Sequence, residues 1–146
     1  MFDKILVAVD GSEYSNHAVN TAANLAKIHN SSVLLLHVIR DWALPKEIEA
    51  MILAGEITAS RLEVLRDSGQ IILDKAKEKF EAGGILDIKS EILEGSPATK
   101  IVDYAEENEV DLIILGHRGL GSAREMLGSI SNKVSNLTKI SCLIVK

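Results

Sequence analysis

The 146-residue chain has one cysteine, two prolines and one tryptophan, and aromatic residues make up only 3% of it. A lone cysteine, Cys142, excludes an internal disulfide framework, and its place in the apolar run "CLIV" reads as a small buried hydrophobe. The shortage of aromatics, set against many Ala, Ile, Leu and Val, points to helices packed on a sheet rather than to a β-sandwich. An excess of basic residues is also missing. The formal charge of −5 argues against general nucleic-acid binding, which needs a basic surface, while leaving room for a small anion held by backbone amides. No apolar run approaches membrane length. The opening "MFDKILVAVDG" carries Asp3 and a five-residue apolar run, so neither a signal peptide nor a membrane span is expected. Internal repeats and low-complexity stretches are absent too. The expectation is a single cytoplasmic domain over residues 1–146, long enough to bury a core.

Five short apolar runs are present: 5–9, 33–39, 87–93, 112–115 and 142–145. Between them lie segments with helical spacing. Ala18, Ala22, Leu25, Ala26 and His29 share one face of a helix that starts near Ser12. Leu62, Leu65, Gly69, Ile72, Leu73, Ala76 and Phe80 share a face of a long helix that stops at Gly83-Gly84. Ala98, Ile101, Val102 and Ala105 follow Ser96-Pro97, a natural N-cap and first helical residue. A last short helix is expected from Gly128-Ser129. Residues 40–57 form either a flap over the top of the sheet or a crossover connection, with Ile48, Met51 and Ile52 on a short amphipathic turn.

Strict β/α alternation implies a parallel sheet wrapped by helices, and right-handed crossovers favour a doubly wound order of 3-2-1-4-5. The first, second and fourth runs are continuously apolar, as strands buried on both faces must be. The third alternates, with Ile88 and Ile92 against Lys89 and Glu91, which suits an edge. The fifth is the other edge, yet it is unbroken apolar residue without a guarding charge before Lys146. Such an edge invites another chain, so a symmetric homodimer through 142–145 is expected.

In open α/β sheets ligands bind beyond the carboxyl ends of the strands, where the strand order reverses. That point lies between the first and fourth strands. The first ends in "VAVDGS", which brings Asp10 there. The fourth opens into "GHRGLGSAREMLGS", residues 116–129, with four glycines in fourteen positions. Glycines before a helix let backbone N–H groups approach a phosphate, and the helix N-terminus adds partial positive charge. Gly128-Ser129 fits that role. Asp10 fits ribose hydroxyls or a divalent metal, or else a helix cap. The stretch is neither a P-loop nor the dinucleotide fingerprint. His37 and His117 border the crevice without an orienting carboxylate in sequence, and Arg118 and Arg124 read equally as phosphate ligands or as solvated side chains.

The segments "KILVAVDGSEYSNHAVNTAANLA", "VLLLHVI", "EGSPATKIVDYAEENEVDLIILGHRGLG" and "GSISNKVSNLTKISCLIVK" resemble, in order, those of the universal stress protein family. The resemblance covers almost the whole chain. It implies the adenine nucleotide alpha hydrolase-like fold. One branch of that family binds ATP through G-x-x-G, nine residues, then G-[ST]; the other does not bind it. Carried over residue by residue, the resemblance places Asp10 by the nucleotide and its metal and Ala8 in the same pocket. It sets Val38 against the adenine and Leu115 and Gly116 beside base and ribose. Gly119 becomes the second motif glycine, and Gly128, Ser129 and Ile130 the turn that holds the phosphates. Here only eight residues, Leu120 to Leu127, separate Gly119 from Gly128.

The function implied is a small nucleotide-dependent regulatory switch that binds ATP, or another adenine nucleotide, with Mg²⁺ or Mn²⁺ and hydrolyses it slowly or not at all. Two alternatives stand beside it. One is a dimeric interaction protein of the non-binding branch, which the eight-residue spacing favours. The other is a response-regulator-like phosphoacceptor, disfavoured because "EGSP" follows the third strand where an acceptor Asp is needed.

Overall fold

The computed structural model describes residues 1–40, 46–55, 60–118 and 128–146. In chain order the elements are β1 (Lys4–Ala8), α1 (Glu13–His29), β2 (Ser32–Arg40), α2 (Lys46–Leu53) and α3 (Ser60–Ala82), then β3 (Ile88–Gly95), α4 (Pro97–Glu107), β4 (Leu112–Gly116), α5 (Ser129–Leu137) and β5 (Ser141–Val145). The strands form one sheet in the order β3-β2-β1-β4-β5, every pairing parallel. This is the doubly wound arrangement that the alternation predicts. β1 sits in the middle, with Leu6 opposite Leu34 on one side and Ile113 on the other.

Because side chains alternate across a strand, each strand feeds two cores. Ile5, Val7, Val33 and Leu35 face α1 and α3, where Ala18, Val19, Leu73 and Phe80 close over them. Leu6, Leu34, Leu36, Ile113 and Leu115 face α4 and α5, meeting Ile101, Val102 and Val134. At about 1.5–3 kcal/mol for each fully buried large apolar side chain, these two layers dominate the stability of the fold. Cys142 is half-buried on the α4/α5 side, and burial raises the pKa of its thiol.

Local signals set most element ends. The Ser12 hydroxyl accepts from the Ser15 N–H and caps α1, and Asn30 closes that helix in the left-handed conformation (φ 55°), which Asn tolerates. Pro97 opens α4 and Ser96 stands at its N-cap, but the Ser96 side chain makes no capping bond. Residues 46–53 form a full short helix; of the apolar positions expected on one face there, Met51 is exposed, while the side chains of Ile48 and Ile52 lie outside the described residues.

One part of the helical reading needs correction. Leu62 and Leu65, expected on the buried face of α3, are exposed, and the buried stripe begins at Gly69. The reason is length. α3 has 23 residues, roughly 35 Å of helix at 1.5 Å per residue. Arg66 pairs with Glu94, next to the last residue of β3, so the turns before Arg66 stand past the end of that strand. No helix among the described residues is long and apolar enough to cross a membrane.

Candidate functional site

A pocket of about 320 Å³ opens at the carboxyl ends of β1, β2 and β4, on the α4/α5 face of the sheet. That volume falls within the range of small-ligand sites. Its position is the point where the strand order reverses, because the chain leaves β1 towards β2 and later crosses back to lay β4 on the other side.

Asp10 lies two residues beyond β1, in a turn held by side chains. Its Oδ1 accepts from the Ser12 N–H at 2.9 Å, while its own N–H donates to Ser15 Oγ at 3.1 Å. Together with the Ser12 cap on Ser15 (3.2 Å), these bonds fix the carboxylate to the start of α1. Ser12 and Ser15 are both buried, which rigidifies the turn because buried hydroxyls are held by their partners.

Gly116 ends β4 against that same turn. A Cβ placed on it would lie 2.7 Å from the Tyr14 carbonyl carbon and 2.9 Å from the Ser15 nitrogen. Both are backbone atoms with no room to yield, so the bare position answers to the close approach of β4 and α1 rather than to flexibility. The Gly116 carbonyl accepts from Ser131 Oγ at 2.6 Å, tying the end of β4 to α5.

The opening of α5 completes the pocket. Gly128 is its N-cap and supplies no side-chain cap; its own N–H donates to the His117 carbonyl at 2.9 Å. The first N–H groups of any helix lack partners inside it, and they carry the positive end of the helix dipole. Ser129, Ile130 and Ser131, the residues that present those groups, line the pocket together with Gly128. An anion is the chemical complement of such a wall.

Of the residues expected at the site, Ala8, Asp10, Leu115 and Gly116 line the β1/β4 wall, Val38 lines the β2 wall, and Gly128, Ser129 and Ile130 line the α5 wall. Ser129 is exposed and Ile130 half-buried. Gly119 and Arg124 lie outside the described residues, as does the eight-residue segment between Gly119 and Gly128. Among the described residues no group of three or more His, Cys, Asp or Glu side chains is placed to hold a metal ion.

The sequence profile of the Universal stress protein family matches residues 1–146. The chain belongs to that family. It is 38% identical over 150 residues to Universal stress protein YxiE of Bacillus subtilis (strain 168), a match that spans 100% of both chains. Among solved structures it is similar to hypothetical protein MJ0577, with a TM-score of 0.83 and 29% identity over 100% of this chain and 96% of that one. It is also similar to a universal stress protein in complex with cAMP, with a TM-score of 0.74 and 26% identity over 99% of this chain and 97% of the other.

In the sequence of this universal stress protein, His37 borders the crevice and Arg118 stays open between phosphate ligand and solvated side chain, whereas Arg40 is not singled out. Arg40 lines the pocket, and strand parity was the available signal, because Leu36, Val38 and Arg40 fall on one face of β2. Arg118 also lines it. Its Nη2 donates to Tyr14 Oη at 2.7 Å, and its guanidinium carbon sits 5.1 Å from the Tyr14 ring centre. His37 lines the pocket as well, with Nδ1 donating to the Val9 carbonyl at 2.8 Å. A carbonyl only accepts, so this contact requires the proton on Nδ1. The ring needs space on its other side, and Gly69 of α3 provides it: a Cβ there would sit 2.6 Å from His37 Cδ2. The glycine inside the helical pattern is therefore a packing residue for a pocket histidine.

Proposed function

We propose that this universal stress protein binds an adenine nucleotide, ATP foremost, in the pocket at the β1/β4 switch point and acts as a cytoplasmic nucleotide-dependent regulatory switch. The observation that carries the reading is the convergence of Asp10 and the uncapped N-terminus of α5 on one pocket. Support comes from the related universal stress protein in complex with cAMP, a protein similar to this chain over 99% of its length.

In this reading Ala8 and Val38 line the pocket on the adenine side, Leu115 and Gly116 flank the base and ribose, and Gly128, Ser129 and Ile130 hold the phosphates, with Gly119 as the second motif glycine. A Mg²⁺ or Mn²⁺ ion fits the donor set: such an ion in a nucleotide site takes one or two carboxylates, phosphate oxygens and waters, and Asp10 supplies the carboxylate. Bound there, the ion neutralises phosphate charge. Asp10 is the sole carboxylate among the described lining residues, and the His37 Nδ1 proton is committed to the Val9 carbonyl, so the described lining offers no carboxylate pair to activate water. Hydrolysis is accordingly slow. The homodimer belongs to the same proposal, formed through the outer edge of β5.

Titration calorimetry with ATP and AMP, with and without Mg²⁺, tests the nucleotide reading, alongside adenine absorbance in the protein as purified. Binding is expected for the wild type. Asp10→Ala should weaken the Mg²⁺-dependent part by about ten-fold or more, the scale of one charge-assisted contact. Gly116→Val should abolish binding by driving β4 from α1. Absence of heat with every nucleotide, and of adenine in the preparation, would instead favour the non-binding dimeric interaction protein.

A further inference from the structure

We propose that Arg118 is the residue by which the pocket distinguishes nucleotides by phosphate number, and that Tyr14 positions it. The inference rests on the nucleotide reading and goes beyond it by assigning a specificity-determining side chain.

Two arginines line the pocket among the described residues, and they stand at different places in the fold. Arg40 ends β2 and is exposed. Arg118 leaves β4 two residues after Gly116 and meets the opening of α5. A Cβ on Gly128 would lie 3.0 Å from the Arg118 Cα, so the root of the Arg118 side chain is seated against the helix N-cap. Arg118 and the positive end of α5 thus meet at one corner of the pocket lining. A nucleoside, being neutral, gains nothing from that corner; each added phosphate gains from both groups.

The guanidinium is also held. It lies over the Tyr14 ring and donates to the Tyr14 hydroxyl. Tyr14 is itself braced edge-on by His117, with ring centres 5.7 Å apart, and belongs to the first turn of α1, whose cap is bonded to Asp10. Arginine loses much rotamer freedom when it binds a ligand, and a side chain already fixed loses less. Its planar fork suits phosphate oxygens two at a time, which a lysine ammonium cannot reproduce. The clamp therefore orients the fork before any ligand arrives, and Asp10 and Arg118 are both tied to the start of α1.

Equilibrium binding of ATP, AMP and adenosine in Mg²⁺ should be measured for the wild type and for Arg118→Ala, Arg118→Lys, Tyr14→Phe and the Tyr14→Phe/Arg118→Ala double variant. Arg118→Ala is expected to lose at least about ten-fold in ATP affinity, less for AMP, with adenosine unchanged. Arg118→Lys should recover only part of the loss. Tyr14→Phe should show a smaller loss graded in the same order, and the double variant should bind no worse than Arg118→Ala. Equal losses for ATP and adenosine would overturn the proposal, as would an Arg118→Ala variant that binds ATP like the wild type. Should Arg118→Ala fail to fold, Arg118→Lys and Tyr14→Phe decide by the same ATP-to-adenosine split. A wild type that binds none of the three overturns the nucleotide reading and this proposal together, whereas wild-type binding with an indifferent Arg118 overturns this one alone.

Discussion

At the scale of single residues, two glycines, one inside α3 and one just past its end, make opposite demands on the same substitution. Gly83 follows the helix, and a Cβ on it would meet the Phe80 carbonyl oxygen at 3.4 Å, an ordinary contact. Gly83→Ala should raise stability by about 0.4–1 kcal/mol by restricting the unfolded chain. At Gly69 the same change drives a methyl group into His37, which cannot retreat without leaving the Val9 carbonyl. Gly69→Ala should cost about 1–2 kcal/mol even though alanine is the better helix former. Chemical denaturation of the two variants side by side checks the pair, and a stabilised Gly69→Ala would show the ring to be movable. The contrast also marks the limit of reading residues from sequence. Gly69 sat correctly within the periodic face of its helix, but its partner is 32 positions away on another element. The same holds for Arg40 and Arg118: whether an arginine is solvated or faces a pocket is decided by what folds over it.

At the scale of elements, strand order was legible because it follows from continuous apolar runs and from the handedness of crossovers, neither of which needs a partner's identity. The meeting of Asp10 and Gly128-Ser129 at one pocket was legible for the same reason, since the reversal point of the sheet is fixed by that order. Element edges were harder. Leu62 and Leu65 satisfy the helical period, and only the reach of α3 beyond β3 takes them out of the core. The packing of α4 on β3 offers a test of its own. Tyr104 is raised from an ordinary value of 10.0 to about 12, mainly by burial and further by its bond to the Glu91 carboxylate. The folded state thus holds the phenol proton more tightly than the unfolded chain does. Its contribution is complete below pH 10 and is lost as pH climbs through 12. Unfolding measured across that interval should show stability falling with pH, and Tyr104→Phe should flatten the fall. An unchanged slope in the variant would show that Tyr104 is not its source.

At the scale of the whole molecule, both edges of the sheet end differently. β3 exposes Lys89, Ser90 and Glu91, which guard it, whereas Cys142, Leu143, Ile144 and Val145 of β5 are half-exposed apolar residues. The Val145 carbonyl accepts from the His117 N–H, so by alternation the peptide groups of Cys142 and Ile144 point outward, away from β4. Ile144→Pro deletes one outward donor while leaving the β4 side intact, a change that edge strands tolerate. Sedimentation at micromolar concentration should give a dimer for the wild type and a monomer for Ile144→Pro; a monomeric wild type would refute edge pairing. The same end of β5 bears on how the protein is handled. The Lys146 carbonyl accepts from His17 Nδ1 at 3.1 Å, one helical turn along α1 from Tyr14. A tag fused after Lys146 would therefore emerge beside the first turns of α1 and load the Tyr14 cluster. One fused before Met1, which is 92% exposed and precedes β1 at the opposite end of the sheet, would leave binding measurements undisturbed.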